Sequence, residues 1–280
     1  MPQYVTMPQQ AIMLQYVNPM AINTWAITKK YPEIRQLGLC HSVQHTVNEL
    51  ASDLRIPASK IRYLSAGINH VAYFLKFEEL LDDGSYKDLY PALKRGYKEG
   101  VFPRPESMTH TRCPNKVRYE MMKRVGYFAT ESSEHFAEYV PWFIKKDRED
   151  IIKKFGIPLD EYPKRCVEQI EEWKNQLEEF TSNEKIEVPS SIEYASQIIN
   201  SAWTGTPSTI YGNVSNKGLI ADLPEGCAVE VPCMIDAKGI HPKCIKEIPP
   251  QLIAIMRSNI NVQELTVKAL VSQDRQYVYH

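Results

Sequence analysis

The sequence predicts an α/β fold in which a parallel sheet is followed by an α+β region. Strand-like and helix-like patterns alternate up to about residue 60, and such alternation is typical of a parallel sheet with helices on its faces. Helices dominate residues 112–203, and a late pair of strands follows them. We therefore expect two parts, residues 1–60 and residues 61–280.

The first part contains two strand–helix units. Residues 12–17 have the apolar character of a buried strand, and residues 20–31 have the spacing of a helix. Residues 36–40 predict a second buried strand, and residues 42–54 predict a second helix. Only two clear strands precede the change of pattern, so the sheet looks incomplete.

The second part begins with strands and continues with helices. Residues 62–75 predict one or two strands around a bend at Gly67, and residues 82–85 predict a turn. A long charged helix is expected over residues 163–180, because apolar residues recur there every three or four positions. The remaining predicted elements are a helix at 88–99, strands at 208–214 and 228–235, and a last helix at 249–272.

Composition and charge exclude several classes of protein. Apolar residues make up 43% and charged residues 24% of the 280, with a formal net charge of -1. No electrostatic footprint for nucleic acid or acidic lipid stands out, and the apolar runs are only strand-length. We expect no nucleic-acid or membrane partner and a cytoplasmic location. The six cysteines include no CxxC pair, unlike a secreted disulfide scaffold.

Polar side chains end three of the apolar runs. Asn18 ends the first, Cys40 ends the second and His70 ends the run that begins at Ala66. In open α/β sheets, ligands bind in the crevice outside the carboxyl ends of the strands. We expect these three side chains to share one pocket.

Cys40 lies at a predicted strand-to-helix junction. A helix N-terminus there lowers the pKa of a thiol and favours the thiolate that binds metals. The alternative is a small buried residue, the usual role of a lone cysteine.

His41 and His45 are one helical turn apart and could bind zinc together with Cys40. Ser42, however, occupies the position of the general-base glutamate in HExxH zinc hydrolases.

Residues 130–139 combine carboxylates, hydroxyls, an imidazole and a phenol. Glu134, His135 and Tyr139 offer the groups used in general acid–base catalysis, provided that their surroundings adjust their pKa values. The alternative is a polar helix start in which the acidic residues occupy the first turn. A weaker candidate, Asn213, lies near the end of a predicted strand.

Several of these segments, taken in order, resemble the motifs of glycoside hydrolase family 4, and most closely those of its bacterial α-galactosidases. The resemblance is colinear and covers about residues 10–280. The segments are Asn18-Pro19-Met20, Gly38-Leu39-Cys40-His41-Ser42-Val43-Gln44, Ala66-Gly67-Ile68-Asn69-His70, residues 130–139, Tyr211-Gly212-Asn213-Val214, Leu223-Pro224 and Val229-Glu230-Val231-Pro232.

The resemblance assigns roles to residues of this chain. It implies that Cys40 and His70 hold a divalent metal, usually manganese, and that Asn18 contacts the sugar. His41 follows the metal-binding cysteine, where the family has its proposed general acid. The general base does not align uniquely, and the candidates are Glu134, His135 and Tyr139. Asn213 is assigned to contact with the cofactor.

The resemblance also implies a mechanism that differs from the usual scheme of two carboxylates. NAD takes hydride from C3 of the sugar, and a base removes the acidified proton at C2. The metal stabilises the enediolate, and the acid assists departure of the group at C1. Water then adds and the hydride returns. The implied substrate is a melibiose-like α-galactoside, and the implied cofactors are manganese and NAD.

One departure from the family pattern concerns NAD. No GxGxxG turn occurs in the sequence, although the family binds the dinucleotide pyrophosphate at such a turn. Residues 1–60 are thus expected to be the remnant of a Rossmann-like domain, and residues 61–280 the α+β substrate and metal domain. The family resemblance implies a homo-oligomer for the full-length protein. The alternatives are a truncated, inactive chain that keeps only metal- and sugar-binding residues, and a zinc hydrolase built on Cys40, His41 and His45.

Overall fold

A computed structural model describes residues 11–105, 113–182 and 191–280 of the chain. The α/β fold class is confirmed. The strands are β1 (Met13–Gln15), β2 (Gln36–Leu39), β3 (Ile61–Ile68), β4 (Val71–Leu80), β5 (Tyr86–Asp88), β6 (Ser208–Ser215), β7 (Ala228–Asp236) and β8 (Gly239–Pro242). The helices are α1 (Met20–Lys30), α2 (Ser42–Leu54), α3 (Tyr90–Lys98), α4 (Lys116–Val125), α5 (Ser133–Glu138), α6 (Glu149–Phe155), α7 (Glu161–Ser182), α8 (Tyr194–Thr204) and α9 (Pro250–Ser272).

One mixed sheet runs through both parts of the chain. Its strand order is β1-β2-β6-β7-β3-β4-β5, and β8 pairs with β7. Within the described ranges only β1 and β2 pair in parallel, while the later strands are antiparallel. The alternation that predicted a parallel sheet is therefore limited to the first two strands, and hairpin-type pairing builds the rest.

Close packing fixes α1 against β2. A Cβ at Gly38 would lie 2.5 Å from the sulfur of Met20 and 2.6 Å from Oγ1 of Thr24, so glycine allows the helix to approach the strand. The buried face of α1 also carries Trp25. This packing places the N-terminal end of α1 beside the carboxyl end of β2, where Cys40 lies.

The chain reverses direction between β3 and β4 at Asn69 and His70. The sequence predicted a bend at Gly67, but Gly67 is the last residue but one of β3 and pairs with Ala72. A Cβ at Gly67 would lie 2.6 Å from the Ala72 Cα, and its φ of +152° favours glycine. The glycine therefore allows β3 and β4 to approach closely just before the turn that contains His70.

A distant segment pairs with the other edge of this hairpin. The Phe74 amide donates to the Phe128 carbonyl at 3.0 Å, and the Thr130 amide donates to the Ala72 carbonyl at 2.9 Å. These bonds bring Glu131 and the start of α5 next to the hairpin tip.

The long charged helix was predicted correctly as an element, and it forms α7. Its apolar stripe is nevertheless exposed: Ile170, Trp173, Leu177 and Phe180 are each at least half accessible to solvent. In the described part of the chain, no helix combines the length and the apolar character needed to cross a membrane.

Candidate functional site

The ends of strands β2 and β3 open onto a cavity of about 540 Å³. This volume is within the range of small-molecule binding sites. The predicted pocket residues Asn18, Cys40 and His70 all line it, which agrees with the expectation of one shared pocket. The other lining residues are Tyr16, Met20, Leu39, His41, Asn69, Glu131, His135, Glu138, Tyr139 and Arg165.

Three of these side chains form a metal-compatible cluster. One ligand atom each of Cys40, His70 and Glu131 lie within 4.8 Å of one another. The His70 Nε2 is 3.5 Å from Glu131 Oε2, and the Cys40 Sγ is 4.0 Å from the same oxygen. A thiolate, an imidazole and a carboxylate on one side of an open cavity are the donors of a catalytic divalent-metal site with free coordination positions.

The electrostatics of the cluster also favour a cation. Burial, followed by the charges of Glu131 and Glu230, raises the pKa of the Cys40 thiol to about 12. Burial lowers the pKa of His70, against the opposing effect of Glu131. A divalent ion would oppose the first effect, because it favours the thiolate, and the second effect would assist it, because a metal binds the neutral imidazole.

The start of α2 lowers the pKa of Cys40, as the sequence predicted, but the net shift is upward. The bonds from Ser42 at the start of α2 do lower it, but burial and the two carboxylates outweigh them. Neither carboxylate lies near Cys40 in sequence. The net direction of the pKa shift therefore could not be predicted from the strand-to-helix junction alone.

Tyr139 contacts His70 on the side of the imidazole ring opposite to Glu131. The tyrosine hydroxyl is 3.1 Å from Nδ1 of His70, the nitrogen that points away from Glu131. Burial raises the pKa of Tyr139. His135 stacks on the His70 ring at 5.8 Å between centroids, and its hydrogen bond to Glu138 raises its pKa.

His41 and Asn18 both line the cavity. His41 precedes α2, and its Nδ1 is 3.3 Å from a carboxylate oxygen of Glu193. The Asn18 side chain accepts a hydrogen bond from the Met20 amide at 3.2 Å, at the start of α1. Both are placed to contact a molecule inside the cavity.

The zinc alternative finds no support in the geometry. The rings of His41 and His45 lie edge to face with centroids 5.3 Å apart. Over residues 11–105, 113–182 and 191–280, the metal-compatible group that contains Cys40 includes His70 and Glu131, not these two histidines. The helical spacing was correct, but the metal-compatible side chains come from three separate segments.

Two predicted site residues lie outside the cavity lining. Glu134 is buried and pairs with Arg165 at 2.6 Å. Asn213 is fully buried within the sheet, and its amide lies 3.5 Å from the Gly38 carbonyl. Asn213 therefore lies on β6, beside the strand β2 that precedes Cys40, and not in the cavity lining.

The sequence reasoning missed two carboxylates. Glu131 was within the acid-rich segment but was not singled out, since its position depends on the pairing of residues 128–130 with β4. Glu230 lies opposite Asn213 on β6 and opposite Gly67 on β3. It is fully buried, and burial and Glu131 raise its pKa to about 8. The alternation of β7 gave no sign that Glu230 faces the core.

Comparison with known proteins identifies the family. Residues 65–280 match the domain described as "Family 4 glycosyl hydrolase C-terminal domain", and residues 5–56 match "Family 4 glycosyl hydrolase". The chain belongs to glycoside hydrolase family 4. The resemblance inferred from the motifs is thereby confirmed.

Proteins similar to this chain are known by sequence and by structure. An alpha-galactosidase of Bacillus subtilis (strain 168) is 43% identical over 96% of this chain and 59% of its own length. The Bacillus subtilis protein lplD superposes with a TM-score of 0.82 at 20% identity, over 97% of this chain and 63% of its own. A 6-phospho-alpha-glucosidase from gut microorganisms, solved in complex with NAD and Mn²⁺, superposes with a TM-score of 0.70 at 19% identity, over 96% and 60%. The chain thus spans about three fifths of the length of these proteins.

Proposed function

We propose that this chain is the metal- and sugar-binding portion of a family 4 α-galactosidase that acts on melibiose-like α-galactosides. The observation that carries the proposal is the cluster of Cys40, His70 and Glu131 in a cavity that Asn18, His41 and Tyr139 also line. The family membership and the 43% identity to an alpha-galactosidase support the choice of sugar.

Cys40, His70 and Glu131 would hold the metal, which we propose to be manganese because the related 6-phospho-alpha-glucosidase binds Mn²⁺. When bound, such an ion supplies Lewis acidity toward sugar oxygens. The donor set fits a divalent cation, since it combines two potential anions and an imidazole whose pKa is lowered.

The remaining lining residues would bind the sugar and move protons. Asn18 would hydrogen-bond a sugar hydroxyl, and His41 would donate a proton to the departing oxygen. His135 and Tyr139 are the candidates for accepting a proton from the sugar carbon, because both line the cavity beside His70. Glu134 is the weakest of the three predicted bases, since Arg165 holds it outside the lining.

NAD is proposed as the cofactor of the complete enzyme, on the basis of the related complex with NAD and Mn²⁺. The 280 residues include no GxGxxG turn, so the residues present do not form the usual pyrophosphate cradle. The buried position of Asn213 likewise offers no contact at the cavity surface.

The test is an assay of the purified chain with NAD, Mn²⁺ and p-nitrophenyl α-galactoside, combined with calorimetric titration of each cofactor. Turnover that requires Mn²⁺ and is abolished by Cys40→Ser is the result expected of the enzyme. Manganese and galactose binding without NAD binding or turnover would favour the second candidate, a chain that binds metal and sugar only. That candidate is motivated by the limited share of its relatives' length that the chain spans. Absence of manganese binding would contradict both.

We further propose that the chain forms a homodimer through α7. Residues 166, 170, 173, 177 and 180 follow the alternating spacing of four and three residues that is typical of a coiled-coil seam. The seam is nearly symmetric about Trp173, so a second copy could pair with it in antiparallel orientation.

A further inference from the structure

A second cavity, of about 460 Å³, adjoins the candidate metal cavity. Asn69, Glu138 and Tyr139 line both cavities, together with Asn18 and Met20. The far wall of the second cavity comes from the start of α1 and from α9. The Asn259 side chain donates to the Tyr139 carbonyl at 3.2 Å, which fixes α9 against the shared wall.

Two buried amide groups in this second cavity lack hydrogen-bond partners. Asn69 is 4% exposed and Gln263 is 6% exposed. The Asn69 Nδ2 and the Gln263 Oε1 have no partner among the described residues. Leaving such groups unpaired is unfavourable. One is a donor and the other an acceptor, which matches the dual character of a hydroxyl group.

The second cavity has an acidic lining. None of the described residues that line it is a lysine or an arginine, and Glu138 supplies a carboxylate. A phosphate group placed there would meet the Glu138 carboxylate, whose partner His135 lies outside this lining, and no lysine or arginine of the lining to bind it. A neutral hydroxyl would meet no such penalty.

We propose that the second cavity is a hydroxyl-binding subsite that selects uncharged sugars over their 6-phosphates, with Gln263 as the specificity-determining residue. The inference rests on the proposed function, because it assumes that a sugar occupies the metal cavity. The hydroxyls beyond the metal-binding edge of the ring extend past Tyr139 into the second cavity. There they donate to Gln263 and accept from Asn69.

The experiment measures binding of galactose and of galactose 6-phosphate to the Mn²⁺-loaded chain by ligand-observed NMR titration. Gln263→Leu is expected to weaken galactose binding roughly tenfold, since it removes a buried acceptor for a hydroxyl. Gln263→Arg is expected to raise affinity for galactose 6-phosphate relative to galactose by at least about tenfold, because it supplies the missing cation. Gln251→Leu is the matched control, since Gln251 lies exposed at the start of the same helix and bonds to the Val125 carbonyl.

Mn²⁺ affinity, measured by electron paramagnetic resonance, distinguishes failure of the proposed function from failure of the proposed subsite. If the unaltered chain binds neither Mn²⁺ nor galactose, the proposed function and this inference both fail. If both bind but neither Gln263 variant changes the galactose to galactose 6-phosphate ratio, the inference alone is overturned. It is also overturned if Gln263→Leu weakens binding of NAD and leaves galactose affinity unchanged, because the cavity would then belong to the dinucleotide.

Discussion

The hydroxyl of Tyr139 lies 3.1 Å from Nδ1 of His70, while Nε2 of the same imidazole faces Glu131 at 3.5 Å. The two ring nitrogens thus have different partners. Metal-binding histidines usually fix their orientation through the nitrogen that does not bind the metal. Tyr139 therefore combines two proposed roles, orientation of a metal ligand and acceptance of a proton from the sugar.

Tyr139→Phe separates these two roles. Loss of the hydroxyl is expected to reduce turnover by about 10²–10⁴-fold if Tyr139 is the proton acceptor, and to weaken Mn²⁺ binding by about tenfold through the loss of orientation. Steady-state kinetics and metal titration measure the two effects. Tyr86→Phe is the control, because Tyr86 is exposed on β5 outside the cavity lining and should change neither quantity by more than a fewfold. Unchanged turnover in Tyr139→Phe would favour His135 as the base.

The metal cluster is tested by thermal stability with and without Mn²⁺. An ion that binds only the folded state adds about 2.7 kcal/mol at a concentration of 100 Kd, so Tm should rise on addition of Mn²⁺. Glu131→Gln should abolish most of this rise, and it should not lower the Tm of the metal-free protein. The reason is that Glu131 disfavours ionisation of Cys40 and Glu230. His45→Gln is the control and should keep the full rise; its loss there would revive a site on the two helix histidines.

The fold could be predicted from sequence largely where local pattern decides it. Helix α2 has the predicted bounds, and α1 and β2 differ from prediction by one residue at one end. Long-range pairing was not accessible. Glu131 reaches His70 only because residues 128–130 pair with β4, and no local spacing encodes that contact. Periodicity likewise predicted α7 without revealing that its apolar stripe is exposed.

Arg118 belongs to a buried network of hydrogen bonds that supports the segment before Glu131. It is fully buried, and it pairs with the Glu49 carboxylate and donates to Thr46 Oγ1 at 2.5 Å. Thr46 in turn donates to the Thr130 carbonyl at 2.6 Å, one residue before Glu131. Arg118→Met should destabilise the protein by about 3–5 kcal/mol, since it removes one member of a buried ion pair. Urea unfolding measures the loss, and Arg118→Met combined with Glu49→Gln should recover part of it. A loss under 1 kcal/mol in the single variant would contradict this account.

Glu230 should make stability depend on pH. Its pKa rises from 4.5 to about 8 on folding. Between these values the folded state holds a proton that the unfolded state has lost, so the free energy of unfolding falls as pH rises. The difference between the unaltered chain and Glu230→Gln should therefore change across pH 4.5–8 and be constant on either side. Urea unfolding of both proteins without metal at several pH values measures it. Parallel profiles for the two would show that Glu230 titrates normally.

The exposed stripe of α7 predicts association in solution. Trp173 is 65% exposed at the centre of the stripe, and aromatic side chains at the centre of an interface carry much of its binding energy. Sedimentation velocity of the unaltered chain should therefore show a dimer at micromolar concentration, and Trp173→Glu should shift it to monomer. Trp203→Glu is the matched control, because Trp203 is 89% exposed on α8 and lies outside the seam. A monomeric unaltered chain, or equal dissociation in both variants, would exclude α7 as the self-association surface.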